Sequence, residues 1–141
     1  MANYECVTRS NYFRVNDPEA FKEFMSRVYG GDSIALWENK QEDDSLLFGF
    51  GVFGDICGYC AADGDDEDGD HEAFCAELQK YVAEDDAIII LESGNEKLRY
   101  VTGSAVVISS TEIEYLDITA LAATRAAALL KNPHWVTQCD Y

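Results

Sequence analysis

The sequence contains an internal echo. Glu19-Ala20-Phe21 returns as Glu72-Ala73-Phe74, and each opens a stretch with an apolar stripe. The first stripe is Phe21, Phe24, Met25 and Val28; the second is Phe74, Leu78, Tyr81 and Val82. Both fit the i, i+3, i+4, i+7 spacing of a helix resting on a sheet. Each helix is followed by a turn with Asp (Gly31-Asp32; Asp85-Asp86) and then by an apolar strand ending in Glu. These strands are Ile34-Ala35-Leu36-Trp37-Glu38 and Ile88-Ile89-Ile90-Leu91-Glu92. A polar hairpin turn then leads to a second strand that reaches a glycine, Leu46 to Gly49 and Tyr100 to Gly103. A helix–strand–strand order met twice constrains the architecture more than any single motif. Two ordinary αββ units with a chance likeness give the same pattern, because few positions are identical.

The remaining segments extend this frame. Asn11 to Val15 alternates as a short strand, and Asn16-Asp17-Pro18-Glu19 supplies cap candidates, an early proline and an early acid for the first helix. Gly94-Asn95 suits the turn of the second hairpin. Val106 to Ser109 continues its second arm, and Glu112 to Ile118 forms a further strand. Thr119 is placed to cap a last helix over Ala120–Lys131, which is rich in Ala and Leu and stopped by Pro133. Trp135 to Tyr141 forms a tail whose aromatics pack back on the body. The expected fold class is α+β: one domain over 1–141, an antiparallel sheet with two or three helices on one face. Two tandem αββ units, 10–62 and 71–131 joined by an acidic loop 63–70, remain an open version of it.

Charge is distributed unevenly over this frame. Glu38 to Glu92 holds seventeen acids and two bases, so it carries −15 of the chain's net −17. The acids form three clusters: Glu42-Asp43-Asp44, Asp63 to Glu72, and Glu84-Asp85-Asp86. Such density opposes the compact state through self-repulsion, so solubility or a cationic partner must favour it. The αββ frame predicts that Glu42–Asp44 and Asp63–Asp70 make one acidic pole, with Glu84–Asp86 set apart. Phosphates and anionic lipid would be repelled, which argues against direct nucleic-acid binding and a membrane role. The longest apolar runs are too short to span a bilayer. Met1 to Cys6 reads as the start of a mature chain, and five cysteines, an odd number, fit reduced thiols in a cytoplasm.

Two site readings rest on the same cysteines. Cys57-Gly58-Tyr59-Cys60 has the CxxC spacing of redox motifs, but the acids beside it oppose the lowered thiol pKa that such chemistry requires. Cys57, Cys60, His71 and Cys75 have ligand-like spacing for a Cys3His zinc site, against a bland reading as isolated structural thiols. The loop Asp63 to Asp70 fails the EF-hand pattern in both registers that place a glycine sixth. The only histidines are His71 and His134, and no Ser or Cys has a recognisable elbow or base beside it. The glycines of Gly49-Phe50-Gly51-Val52-Phe53-Gly54 sit at strand spacing and suit close backbone packing rather than phosphate binding.

Ser10-Asn11-Tyr12-Phe13-Arg14-Val15 with Asp17-Pro18-Glu19-Ala20-Phe21, and later Asp86 to Lys97, carry a resemblance. The chain resembles a family of small acidic proteins carried on mobile genetic elements of Gram-positive gut bacteria. The resemblance implies no catalytic residues. It implies a setting in which acidic inhibitors of nucleases, some imitating DNA, are found. The expected function is therefore a non-enzymatic, cytoplasmic interaction protein without a cofactor, facing a basic protein surface such as a nuclease or other DNA-binding protein. Glu42, Asp43, Asp44, Asp63, Asp65, Asp66, Glu67, Asp68 and Asp70 would supply the charge. The alternatives are a zinc-binding or redox module on Cys57, Cys60, His71 and Cys75, and a structural homodimer subunit.

Overall fold

Phenylalanine fills the interior. Phe13, Phe21, Phe24, Phe48, Phe50 and Phe74 are all fully buried, and their rings meet one another at centroid distances of 5.1 to 6.1 Å. The computed structural model describes residues 4–62 and 67–139, and the elements that supply these rings are two helices and one large sheet.

The sheet has six strands, all antiparallel to their neighbours: β1 (Glu5–Ser10), β3 (Ala35–Lys40), β4 (Leu46–Phe53), β7 (Ile88–Glu96), β8 (Tyr100–Ile108) and β9 (Ile113–Asp117). Their spatial order is β3-β4-β1-β7-β8-β9. A small second sheet joins β2 (Val28–Gly30), β5 (Ile56–Tyr59) and β6 (Gly69–Asp70) in the order β2-β5-β6. Helices α1 (Pro18–Ser26) and α2 (His71–Leu78) cover one face of the large sheet. The third helix, α3 (Ile118–Leu129), leans on β8 and β9 from the opposite face. The α+β class and the antiparallel sheet agree with the sequence pattern.

α1 starts at Asp17, whose carboxylate accepts from the Ala20 N–H at 3.2 Å, and Pro18 follows as a first-turn proline. Phe21, Phe24 and Met25 are its buried stripe, but the helix stops at Ser26. Val28 is buried from β2 instead. α2 likewise stops at Leu78, so Tyr81 and Val82 reach the core from a turn, with Val82 bridging Val15. Helical spacing continued past both ends because the next apolar residues still face the same core.

The central strand β1 is the element that the pattern did not reveal. Its core-facing residues are Cys6, Thr8 and Ser10, so no apolar alternation marks it. Buried polar groups there must be paired. The Thr8 hydroxyl donates to the Gly54 C=O at 2.8 Å. Ser10 Oγ accepts the Phe50 N–H at 2.9 Å and donates to the Asn11 C=O at 2.7 Å. Past the strand's end, Asn11 imitates one more residue of pairing. Its Oδ1 accepts the Ile89 N–H at 2.8 Å and its Nδ2 donates to the Ala87 C=O at 3.1 Å. The segment expected as a strand, Asn11–Val15, makes only single bridges, Phe13 to Phe48 and Val15 to Val82.

Helix followed by hairpin does occur twice, as α1-β3-β4 and α2-β7-β8 with β2, β5 and β6 interposed. The two hairpins flank β1 differently. The second strand, β4, lies innermost in one, and the first strand, β7, lies innermost in the other. Shared chain order is thus not shared placement. The second hairpin also turns later than Gly94-Asn95. β7 continues to Glu96 and Lys97 takes the left-handed conformation, φ 50°. Gly94 is needed inside the strand, because a Cβ there would meet Cys6 Cβ at 2.7 Å and the Glu5 carbonyl oxygen at 2.6 Å.

Candidate functional site

The acidic clusters are the strongest candidate, and the fold sorts them in an unforeseen way. Glu42–Asp44 forms the β3–β4 hairpin tip, where Asp44 is left-handed at φ 68°. Asp43 builds that tip: its Oδ1 accepts the Ser45 hydroxyl at 2.6 Å and the Ser45 N–H at 3.0 Å. The Ser45 hydroxyl, then its N–H, hold the Asp43 carboxyl below the usual carboxylate range, with a smaller contribution from the charge on Arg14.

Arg14 acts on this tip by charge alone and is bonded to a second cluster. The Phe13–Phe48 bridge seats Arg14 beside β4. Its guanidinium then pairs with Asp85 at 2.8 Å and its backbone N–H donates to Asp86 at 2.8 Å. Its C=O accepts the Ala83 N–H. Arg14 is thus paired with Asp85 and Asp86 and acts by charge, more weakly, on Asp43 at the hairpin tip. Glu84–Asp86, expected to stand apart, is paired with the same arginine whose charge acts on Asp43.

The described end of the acidic loop, Glu67–Asp70, lies toward the other end of α1. Asp63, Asp65 and Asp66 are outside the described residues. Glu67 and Asp68 precede β6, and Asp68 accepts the Ala61 N–H at 2.7 Å. Asp70 caps α2 by accepting the Ala73 N–H at 2.9 Å. Cys60 beside them donates its N–H to the Arg27 C=O at the C-terminal end of α1. Asn16, next to the Asp17 cap at the N-terminal end, donates its N–H to the Tyr81 C=O near Arg14. A helix of nine residues separates the two ends, on the order of 13 Å. Two of the acids expected to face a partner, Asp68 and Asp70, thus hold local backbone groups. Glu42 and Asp44 remain exposed, with Asp44 only loosely paired to Lys40 at 3.5 Å.

The cysteine–histidine set does not converge. Among the described residues, no group of three or more His, Cys, Asp or Glu is arranged to hold a metal ion. Cys75 points into the core near the Tyr115 hydroxyl on β9. Cys57 and Cys60 are exposed around β5, and His71 opens α2 with its ring 6.2 Å from Phe74. The spacing that suggested Cys57, Cys60, His71 and Cys75 as zinc ligands is therefore corrected. The helix turns Cys75 inward with Phe74 and Leu78 as part of its buried stripe. The CxxC pair starts on a strand, not at a helix N-terminus. Burial and then Asp55 push the Cys57 thiol up, away from the thiolate that redox exchange needs.

Burial raises the Cys75 thiol to about 11 from 9.0. The folded chain therefore keeps a proton that the unfolded chain releases. This contribution is fully present below pH 9 and is lost as pH rises toward 11, so the melting temperature should fall across that window. Iodoacetamide should modify Cys57, Cys60 and Cys139 in the native protein and reach Cys75 only on unfolding. Mass spectrometry after native labelling checks this, and equal labelling of Cys75 and Cys57 would contradict the burial.

A concavity of about 840 Å³ lies at the start of β1 and the ends of β4 and β7 and is lined by Tyr4, Cys6, Phe53, Asp55, Gly94 and Thr102 among others. Tyr4 Oη lies 2.7 Å from Thr102 Oγ1 and 3.3 Å from Glu92 Oε2. Burial, then Glu92 and Asp55, raise the Cys6 thiol, so it is a poor nucleophile at neutral pH. This geometry supplies hydrogen bonds but no matched acid and base.

Comparison of the chain with protein-family models, with curated proteins and with solved structures finds no match. No helix among the described residues is long and apolar enough to cross a membrane.

Proposed function

We propose that this protein is a non-enzymatic interaction module that presents an acidic end to a basic protein partner. One observation carries the reading: Glu42–Asp44 and Glu84–Asp86, forty residues apart in sequence, both lie within reach of Arg14, which pairs with Asp85 and Asp86 and whose charge acts on Asp43. Packing alone does not require two acidic turns within reach of one arginine, and their excess of like charge is self-repulsive. A cationic surface relieves that repulsion and gains speed and selectivity of association. A nuclease or other DNA-binding protein has such a surface, so competition with DNA for the same groove is the specific form of the proposal.

The test uses a variant chosen to spare the fold. Glu42→Lys, Asp44→Lys and Glu84→Lys together reverse charge, while Asp43 keeps the hairpin turn and Asp85 and Asp86 keep Arg14. The immobilised wild-type chain should retain basic proteins from lysate at low salt and release them at high salt. The triple variant should associate with them roughly ten to a hundred times more slowly. Retention that ignores both salt and charge reversal would sink the proposal.

A further inference from the structure

The large sheet has a second face that α1 and α2 do not reach. Residues alternating with the core set point there, including Val7 of β1, Phe53 of β4, Leu91 of β7 and Val101 of β8. Phe53 is 77 % exposed, Val101 64 %, Leu91 53 % and Val7 47 %. Trp37 and Tyr12 cover only the β3–β4 side, lying over Gly51 and Gly49.

α3 borders this face without closing it. Ile118 Cγ2 lies 3.0 Å from where a side chain on Gly103 would begin. Beyond it a groove of about 410 Å³ runs between helix and sheet, lined by Leu91, Gly103, Ala105, Leu116, Ile118 and Leu121 among others. The helix sequence, Ile118 to Leu129, contains one charge, Arg125, and buries no residue. Leu129 is 80 % exposed. A helix that is apolar on most sides belongs in an interior, and twelve residues are marginal alone in water. The chain thus carries an open apolar sheet face and an apolar helix, joined only along one edge.

We propose that a second copy of this chain covers that face, with the open sheets and the α3 helices of the two copies packed about a twofold axis. Surface area leaves room for this occupant. The chain exposes 9359 Å², whereas a compact monomer of its 15.7 kDa exposes roughly 7,300 Å². The excess, on the order of 2,000 Å², exceeds the roughly 800 Å² per partner of a standard stable interface. Charge allows the contact too. On the open face and α3, Glu5 and Glu114 are balanced by Arg9 and Arg125, although the chain as a whole is −17. Two copies can therefore meet here without opposing their acidic clusters. An isologous contact needs one self-complementary patch, and this face has both the surface and the helix to fill it.

Light scattering with size-exclusion chromatography tests the idea on the intact chain. The wild type should have twice the 15.7 kDa mass at micromolar concentration. Leu91→Glu, which puts a charge at the centre of the face, should weaken the dimer at least tenfold with an unchanged circular dichroism spectrum. If that variant fails to fold, Val101→Lys, further out on β8, should give the same loss. Salt should tighten the dimer by screening two −17 chains, the reverse of its effect on a basic partner. A monomeric wild type, or a dimer unmoved by both variants, overturns the proposal. A monomer that still binds basic proteins would overturn the dimer alone, so the two proposals fail separately.

Discussion

Phe24→Ala is expected to destabilise the protein by about 3 to 5 kcal/mol, the range for a large aromatic removed from a closed core. Phe24 is fully buried where every supporting layer meets. Its ring lies 6.0 Å from Phe74 of α2, 5.4 Å from Tyr81 and 5.1 Å from Tyr59 of β5, with the Arg27 guanidinium 5.6 Å from its centroid. Truncation therefore empties the junction of α1, α2 and the small sheet together. Relaxation is limited, because Phe74 is also held by Phe50 of the large sheet, at 6.0 Å. Domains of this size are stable by roughly 5–15 kcal/mol, so the loss consumes a large part of the total. Thermal and urea unfolding should both report it. A loss under about 1 kcal/mol would show that the two helices are not held through this ring.

Gly58→Ala should cost about 2 to 3 kcal/mol, although it adds a single methyl group. A Cβ at Gly58 would overlap the Gly69 carbonyl oxygen, and its next neighbours are Gly69 C at 3.0 Å and Asp70 Cα at 3.1 Å. All three are backbone atoms of β6, so no side chain can swing aside. The register Gly58↔Asp70 and Tyr59↔Gly69 must open. Asp70 then leaves its position as the α2 cap, and the loss of that cap contributes about 1 kcal/mol of the total. Hydrogen exchange should show faster opening of the Ala73 N–H and the first turn of α2, with the centre of the large sheet unchanged. Wild-type exchange at Ala73 would place the strain elsewhere.

Legibility from sequence followed local chemistry. α1 could be read because Asp17-Pro18 and an apolar stripe signal a helix on their own, and β7 because Ile88-Ile89-Ile90-Leu91 does. β1 could not be read: the residues it buries, Thr8 and Ser10, are polar, and only the Gly54 C=O and Phe50 N–H brought to them make that burial tolerable. Gly94-Asn95 looked like a turn because its local preferences favour one. The approach of Cys6 and Glu5 from β1 makes that glycine a close-packing position instead. The zinc spacing failed for a related reason. Spacing gives distance along the chain, whereas the inward rotation of Cys75 is set by the core it completes.

The sequence by itself determined the class of the protein, its two core helices, its hairpins and its strongly anionic middle. Periodicity, caps and charge are properties of neighbouring residues. The tertiary structure alone decided that β1 is central, that the hairpins flank it unlike repeats, and that Arg14 pairs with Asp85 and Asp86. It also decided that one sheet face stays open beside α3. Strand order and the convergence of distant turns depend on which long-range pairings bury the most apolar surface with every backbone group satisfied. That balance is struck over the whole chain, and no window of sequence contains it.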